Sequence, residues 1–295
     1  MKIIECIPNF SEGRNKSVVN AIVAACAQTP GVKILDFSMD YDHNRSVLTF
    51  IGSPKTVETA AAATCDKALE LIDMRRHTGI HPRIGAVDVV PFVPLRGADM
   101  EDAVALAHRF GRALAERNGI PVYFYGAAAL EPDRKALSAI RKGQYESLRE
   151  KITDPAWNPD AGPAVFTPKS GATAVGARKP LIAFNVNLNC CNLKIAKDIA
   201  KSIRQSSGGL PHVQALGLHL ESRNIVQVSM NLTDYEETPV CRVFDIIKEK
   251  AASCGVDILE SELIGLIPEA ALEGTSVEHL QLCDFCEERI IESHL

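Results

Sequence analysis

The chain has 295 residues, enough for one large or two modest domains at roughly 100–200 residues each. Hydrophobic residues make up 46% and charged residues 23%, so a buried core is expected and wholesale disorder is excluded. Lys and Arg number 32 against 37 Asp and Glu, a net charge of −5, and no basic run or aromatic-basic stripe marks a nucleic-acid surface.

The elements follow in chain order. Lys2 to Ile7 reads as a strand, entered without a charged and then apolar leader, and no apolar run approaches about 18 residues, so a cytoplasmic protein is expected. Val18, Val19, Ile22, Val23 and Cys26 recur with helical spacing until Pro30-Gly31 stops them. Val32 to Ser38 and Arg45 to Ile51 read as a hairpin across the polar turn Asp40-Tyr41-Asp42-His43-Asn44. Pro54 opens a helix with Val57, Ala61, Thr64, Ala68 and Leu71 on one face, and Ala86 to Val93 reads as a strand. That is β-α-β-β-α-β. A helix over Asp99 to Arg117, a strand at Pro121 to Tyr125 and short helical stretches at Asp133 to Arg141 and Tyr145 to Ile152 extend it.

From Asp154 to Gly171 the chain is rich in proline and glycine with little periodicity, which marks a linker or a long binding loop. The pattern then returns. Leu181 to Leu188 reads as a strand, Lys194 to Ile203 as a helix, Val213 to Leu220 and Ile225 to Thr233 as a strand pair, Val240 to Ala251 as a helix, and Val256 to Ile267 as a strand. The expected fold class is α+β: two ferredoxin-like (βαββαβ) subdomains with antiparallel sheets, over residues 1–178 and 179–295. In the second, Asn185 and Asn187 alternate with Ile182, Phe184, Val186 and Leu188. Gln227, Ser229, Asn231 and Thr233 alternate likewise with Val226, Val228, Met230 and Leu232. One face is core; the amide and hydroxyl face is either solvated or suited to a heterocycle with several ring nitrogens and carbonyls.

Most of the nine cysteines lie in apolar periodic stretches, as Cys26 and Cys65 do, so reduced and buried thiols are expected. Cys283 and Cys286 form the only C-x-x-C, but no second ligand pair has matching spacing, and acidic Asp284, Glu287 and Glu288 disfavour a thiolate. No metal is expected. The segment Arg76-His77-Thr78-Gly79-Ile80-His81-Pro82-Arg83-Ile84-Gly85 places two imidazoles among guanidiniums where glycine and proline forbid a helix. It reads as a catalytic or binding loop in which a histidine can carry a proton and an arginine can hold a carboxylate.

Together with Glu5-Cys6-Ile7-Pro8-Asn9-Phe10-Ser11-Glu12-Gly13, Asp88 to Pro94 and Gly171-Ala172-Thr173-Ala174-Val175-Gly176-Ala177-Arg178-Lys179, this loop resembles the glutamate formimidoyltransferase (formiminotransferase) family. The likeness runs to about Pro268. It implies a ligand tunnel between the two subdomains, and transfer of the formimino group of N-formimino-L-glutamate to N5 of tetrahydrofolate, a co-substrate, in histidine breakdown. The resemblance assigns catalysis to His81 and folate contact to Gly162-Pro163-Ala164-Val165-Phe166-Thr167-Pro168-Lys169-Ser170-Gly171, so the proline-rich stretch is read as a binding loop. Asn9, Asp36, Arg45, Arg83 and Arg178 lie in or beside matching motifs as candidate substrate-binding residues. Asp36, Asp40 and Asp88 are candidates to orient the imidazole. It further implies a homodimer and a separate cyclodeaminase for the product. Position 80 is Ile where the family motif usually carries Glu. Formyl transfer with N-formylglutamate or 5-formyltetrahydrofolate, and folate binding without turnover, are the alternatives.

Overall fold

In the computed structural model, which describes residues 1–295, Pro8 splits the first extended segment into β1 (Ile4–Cys6) and β2 (Asn9–Phe10). Helix α1 (Lys16–Ala27) starts where the Asn15 side chain accepts from the amides of Ser17 and Val18, and buries Val19, Ile22 and Cys26. The hairpin β3 (Lys33–Asp40) and β4 (Arg45–Gly52) follows, turning through Asn44 in the left-handed region (φ 49°). Ser53 caps α2 (Pro54–Leu71), β5 spans Val87–Pro94, and α3 (Met100–Asn118) carries a capping box of Asp99 and Asp102 and ends at left-handed Gly119. Strand β6 (Val122–Gly126), short helices α4 (Leu137–Ile140) and α5 (Gln144–Lys151), and strand β7 (Thr173–Ala177) complete the first of two units, Met1–Arg178.

Its sheet runs β3, β4, then β1 with β2, then β5, β7 and β6. The first four positions are antiparallel, and β7 lies parallel to both β5 and β6. No periodicity announced β7. All five of its residues are buried, so Thr-Ala-Val-Gly-Ala shows no alternation between an apolar and a polar face. The sheet is therefore antiparallel where the β-α-β-β-α-β pattern was read and parallel where the chain extends it.

The second unit, Lys179–Leu295, is built from β8 (Ile182–Leu188), α6 (Leu193–Ile203), β9 (Val213–Leu220), β10 (Ile225–Leu232), α7 (Val240–Ser253) and β11 (Ile258–Ile264). The four strands form one antiparallel sheet in the order β11-β8-β10-β9. Phe184, Val186, Val228 and Met230 pack with Ile199, Ile203, Val243 and Phe244 in its core. Each such side chain contributes about 1.5–3 kcal/mol of burial. The last strand stops short of the expected Ile267 because Gly265 takes a positive φ of 77°. No helix of either unit is long and apolar enough to cross a membrane.

One close backbone approach in the first unit positions the histidine loop. Gly85 forms an antiparallel bridge with Gly171, and the Ala86 amide donates to the Ser170 carbonyl at 2.8 Å. A Cβ at Gly85 would lie 2.2 Å from the Ala172 carbonyl oxygen and 2.5 Å from that of Ser170. Gly85→Ala is therefore expected to lower the unfolding free energy by about 1–3 kcal/mol, the usual effect of overpacking. A denaturation midpoint equal to that of the parent would contradict this contact.

Candidate active site

After a single 3-10 turn (Met74–Arg76) the chain runs without regular structure to Val87, and three anchors hold it. The Met74 amide donates to the Lys169 carbonyl at 2.9 Å. The Ile84 amide donates to Asp88 Oδ1 at 2.9 Å, while the other oxygen of this buried carboxylate takes the Arg141 guanidinium. Ser11 Oγ donates to the Gly85 carbonyl at 2.7 Å. The β3–β4 turn closes over the middle. Asn44 accepts from the Gly13 amide at 2.9 Å and donates to the Thr78 carbonyl at 2.8 Å, and a Cβ at Gly79 would lie 2.4 Å from the His43 carbonyl oxygen. These contacts explain the residue types of the Asn9 to Gly13 motif, since a Cβ at Gly13 would meet the Asp40 carbonyl oxygen at 2.1 Å.

His77 is locked in one tautomer. Arg83 Nε, which can only donate, lies 3.2 Å from His77 Nδ1, so the hydrogen sits on Nε2, 2.9 Å from the Asn44 carbonyl. Burial first, and the Arg83 charge after it, lowers the pKa of this imidazole. Arg83 is itself buried, with Nη1 on Gln144 Oε1 at 2.9 Å and both prongs on the Glu146 carboxylate. Gln144 reaches it from a left-handed backbone (φ 57°) next to Gly143.

His81 has the opposite tautomer. Arg45 Nη1 donates to His81 Nε2 at 3.1 Å and to Asn9 Oδ1 at 3.0 Å, and the ring's other contact is with the Pro82 backbone, where only a carbonyl can bond. The hydrogen is thus on Nδ1. Burial, then Arg45, Arg141 and His43 in that order, push the His81 pKa well below the ordinary histidine value. The His43 ring stands 5.8 Å from that of His81. Arg45 is lowered to about 10 by burial and then by Arg141. Its side-chain partners, Asn9 and His81, are neutral, and its buried Nε has none, nor has that of Arg141. The part-buried Arg45 guanidinium borders a cleft with Phe10, Ser11, His77, His81 and Asp88, where Asp40 and Asp88 offset part of its charge without bonding it.

The expected residues thus separate. Asn9, Arg45 and His81 form one hydrogen-bonded chain. Asp88 serves the loop backbone, Asp40 binds the His43 amide at 2.8 Å, and Asp36 sits within β3 opposite Thr49, so none of the three carboxylates bonds the His81 ring. In the 162–171 segment, Val165 is 60% exposed, whereas Phe166 lies under Tyr145 and Arg149, and Pro168 accepts from the Tyr145 hydroxyl at 2.5 Å. Arg178 continues from β7, its amide on the Phe92 carbonyl at 3.2 Å. His43, Asn44, Arg141, Gln144 and Glu146 carried no motif signal. A polar turn and two exposed-looking helical stretches conceal them, since their partners are more than 30 positions away.

An α+β protein whose irregular loop presents a neutral imidazole beside a guanidinium that no carboxylate bonds is equipped for acid–base work on an anionic ligand. Residues 3–178 match the formiminotransferase domain, N-terminal subdomain, and residues 183–291 match the formiminotransferase domain. The chain belongs to the formiminotransferase family. It is 49% identical over 294 residues to the glutamate formimidoyltransferase of Thermoplasma acidophilum, covering 99% of this chain and 97% of that one. With the glutamate formimidoyltransferase of Streptococcus pyogenes serotype M1 the identity is 44% over 295 residues, covering 100% and 99%. The formimidoyltransferase-cyclodeaminase of Gallus gallus is 46% identical over 92% of this chain, which matches 51% of that longer protein.

Two measurements check the geometry. In an NMR titration His81 is expected to protonate below the usual histidine range near 6.5, and Arg45→Gln moves its pKa upward by removing the adjacent charge. Because His77 and His81 both bind a proton more readily when unfolded, stability is full above about pH 6.5 and falls as pH drops toward their folded values. Arg83→Lys keeps the charge but loses the forked contact with Glu146 and the bond to His77. A drop of about 1–3 kcal/mol in unfolding free energy is expected, and unchanged stability would show that the fork is idle.

Proposed function

We propose that the protein transfers the formimino group from N-formimino-L-glutamate to N5 of tetrahydrofolate, giving 5-formiminotetrahydrofolate and L-glutamate. The observation that carries this reading is the His81 imidazole, neutral and with its lone pair on Nε2, in a chain nearly half identical along its whole length to a glutamate formimidoyltransferase.

The chemistry asks for little else. N5 attacks the amidine carbon and a tetrahedral intermediate forms; its collapse breaks the bond from that carbon to the glutamate nitrogen, which must leave as an amine. Arg45 Nη1 occupies the Nε2 lone pair in the ligand-free protein, so the donor carboxylate first draws the guanidinium onto itself; His81 Nε2 then accepts the proton that N5 loses and delivers it to the departing nitrogen, and the enzyme ends as it began. A part-buried histidine with a depressed pKa is ready to accept at neutral pH. A protonated amidine is electrophilic without further activation.

Arg45 is the anchor for a carboxylate of the donor. Its charge has no ion-pair partner, and a two-pronged guanidinium–carboxylate contact would supply one. Asn9 holds that guanidinium in place, and Arg83, committed to Glu146 and His77, positions the loop. Residues 162–171 supply the folate contact, with the exposed Pro163 to Val165 stretch free to meet ligand while Thr167 to Gly171 stays tied to the histidine loop.

His81→Ala is expected to lower kcat by about 10²–10⁴-fold with KM for either substrate within a few-fold of the parent. The assay runs N-formimino-L-glutamate and N-formyl-L-glutamate in parallel, and the parent is expected to prefer the former. Preference for the formyl donor would change the substrate. Equal turnover in the variant would remove His81 from the mechanism.

A further inference from the structure

At the open end of the β9–β10 pair, where Val213 lies opposite Leu232, His212 immediately precedes one strand and Asp234 and Glu237 follow the other. One ligand atom from each, an imidazole nitrogen and two carboxylate oxygens, lies within 4.8 Å of both others. His212 Nε2 is 3.2 Å from Glu237 Oε2, yet the contact is not aligned as a hydrogen bond. Such a spacing is that of two donors on one ion, since bonds of about 2.0–2.2 Å set neighbouring ligand atoms roughly 2.8–3.6 Å apart. Glu237 is 63% exposed and has the freedom to close the remaining gap. The sequence hides the cluster, because only the antiparallel pairing of β9 with β10 brings the three residues together.

The backbone beneath these side chains is fixed on both arms. The Thr233 amide and hydroxyl both donate to the His212 carbonyl, at 2.9 and 3.3 Å, and the His212 amide donates to Gln205 Oε1 at 3.0 Å. Every backbone polar group of the histidine is therefore taken. On the other arm the buried Thr238 donates from its hydroxyl to the Pro211 carbonyl at 2.8 Å and from its amide to the Asp234 carbonyl at 3.2 Å. The residue before His212 is thus tied to the residue after Glu237, and ligands held on so fixed a backbone need little ordering to bind. Two carboxylates and an imidazole, which ligates in its neutral form, match a divalent charge. Lys179 Nζ, 2.7 Å from Asp234 Oδ2 and 3.2 Å from Glu236 Oε2, is a competing cation. It is 53% exposed, where an ion pair is weak, and Glu236 can keep it when Asp234 turns to an ion.

We propose that His212, Asp234 and Glu237 bind one divalent transition-metal ion of the zinc class, with water completing its shell. The imidazole nitrogen turns the site away from magnesium and calcium, which take oxygen ligands, and the lack of a thiolate turns it away from copper(I). The ion ties the segment before β9 to the segment after β10. No bond is made or broken in a substrate, and no residue of the cluster belongs to the formimino-transfer reading.

The test is calorimetric titration of the full chain, stripped with a chelator, with Zn²⁺. The parent is expected to bind in the micromolar range and His212→Asn at least about tenfold more weakly, since losing even an outer partner of a ligand commonly costs that much. Asparagine accepts the left-handed backbone that His212 adopts (φ 58°), so this variant keeps the fold. Glu237→Gln, a change to an exposed side chain, is expected to weaken binding likewise, and Lys179→Ala to strengthen it by removing the competing cation. With Co²⁺ the parent is expected to show a visible ligand-field spectrum that His212→Asn lacks. A sulfur-to-metal charge-transfer band in the parent would assign the ion to Cys283 and Cys286 and overturn the proposal. Equal Zn²⁺ binding by the parent and His212→Asn overturns it too, as does a parent that binds Mg²⁺ as tightly as Zn²⁺, the mark of an acidic surface only. Neither measurement requires turnover, so the outcome is independent of formimino transfer.

Discussion

An imidazole can accept a proton at neutral pH only while it is itself unprotonated, and here burial and the Arg45 guanidinium enforce that state together. Arg45 cannot accept a hydrogen bond, so its approach to Nε2 at 3.1 Å dictates the tautomer as well as the charge of His81. The surrounding contacts serve this one. Arg45 opens β4 and Asn9 belongs to β2, adjacent strands whose register sets Asn9 opposite Val47 and so within 3.0 Å of the guanidinium. From the other side the loop is pinned by Asp88, Ser11 and the Gly85–Gly171 bridge. The strands supply the rigid wall, and the loop carries the group that must be placed against it.

Three arginines in this region are used differently, and the difference is one of charge balance. Arg83 and Arg141 each sit on a carboxylate, Glu146 and Asp88. Arg45 touches only neutral groups, an arrangement that costs stability unless a ligand supplies the missing anion. Sites that hold such an imbalance commonly trade stability for function. Its lowered pKa has the same leading cause as that of His81, burial, with neighbouring positive charge second and Asp40 and Asp88 opposing the shift only at Arg45.

The second unit has the reverse character. Its polar face exhausts the donors of Asn187 and Gln227 and leaves carboxylate and carbonyl oxygens over. The same alternation that builds a β-sheet, one residue inward and the next outward, produces this face without disturbing the core that Phe184, Val186 and Val228 fill.

The amino-acid sequence by itself determined the elements whose residues alternate between burial and exposure. The helices from Lys16, Pro54, Met100, Leu193 and Val240 and the two hairpins are legible because their periodicity is local. The loop at 76–85 was legible as well, since glycine and proline exclude a helix within a few residues of the histidines. Tertiary structure alone decided the rest. Strand β7 lacks alternation because it is buried on both faces between β5 and β6. The three acidic candidates near His81 could not be ranked from their positions, and none bonds the ring; a guanidinium from the preceding hairpin does. Which arginine is paired and which is left open depends on Gln144, Glu146 and Arg141, residues tens of positions away whose neighbourhood arises only when the chain folds. Local patterning follows from the chemistry of adjacent side chains, whereas charge balance follows from contacts the chain makes with distant parts of itself.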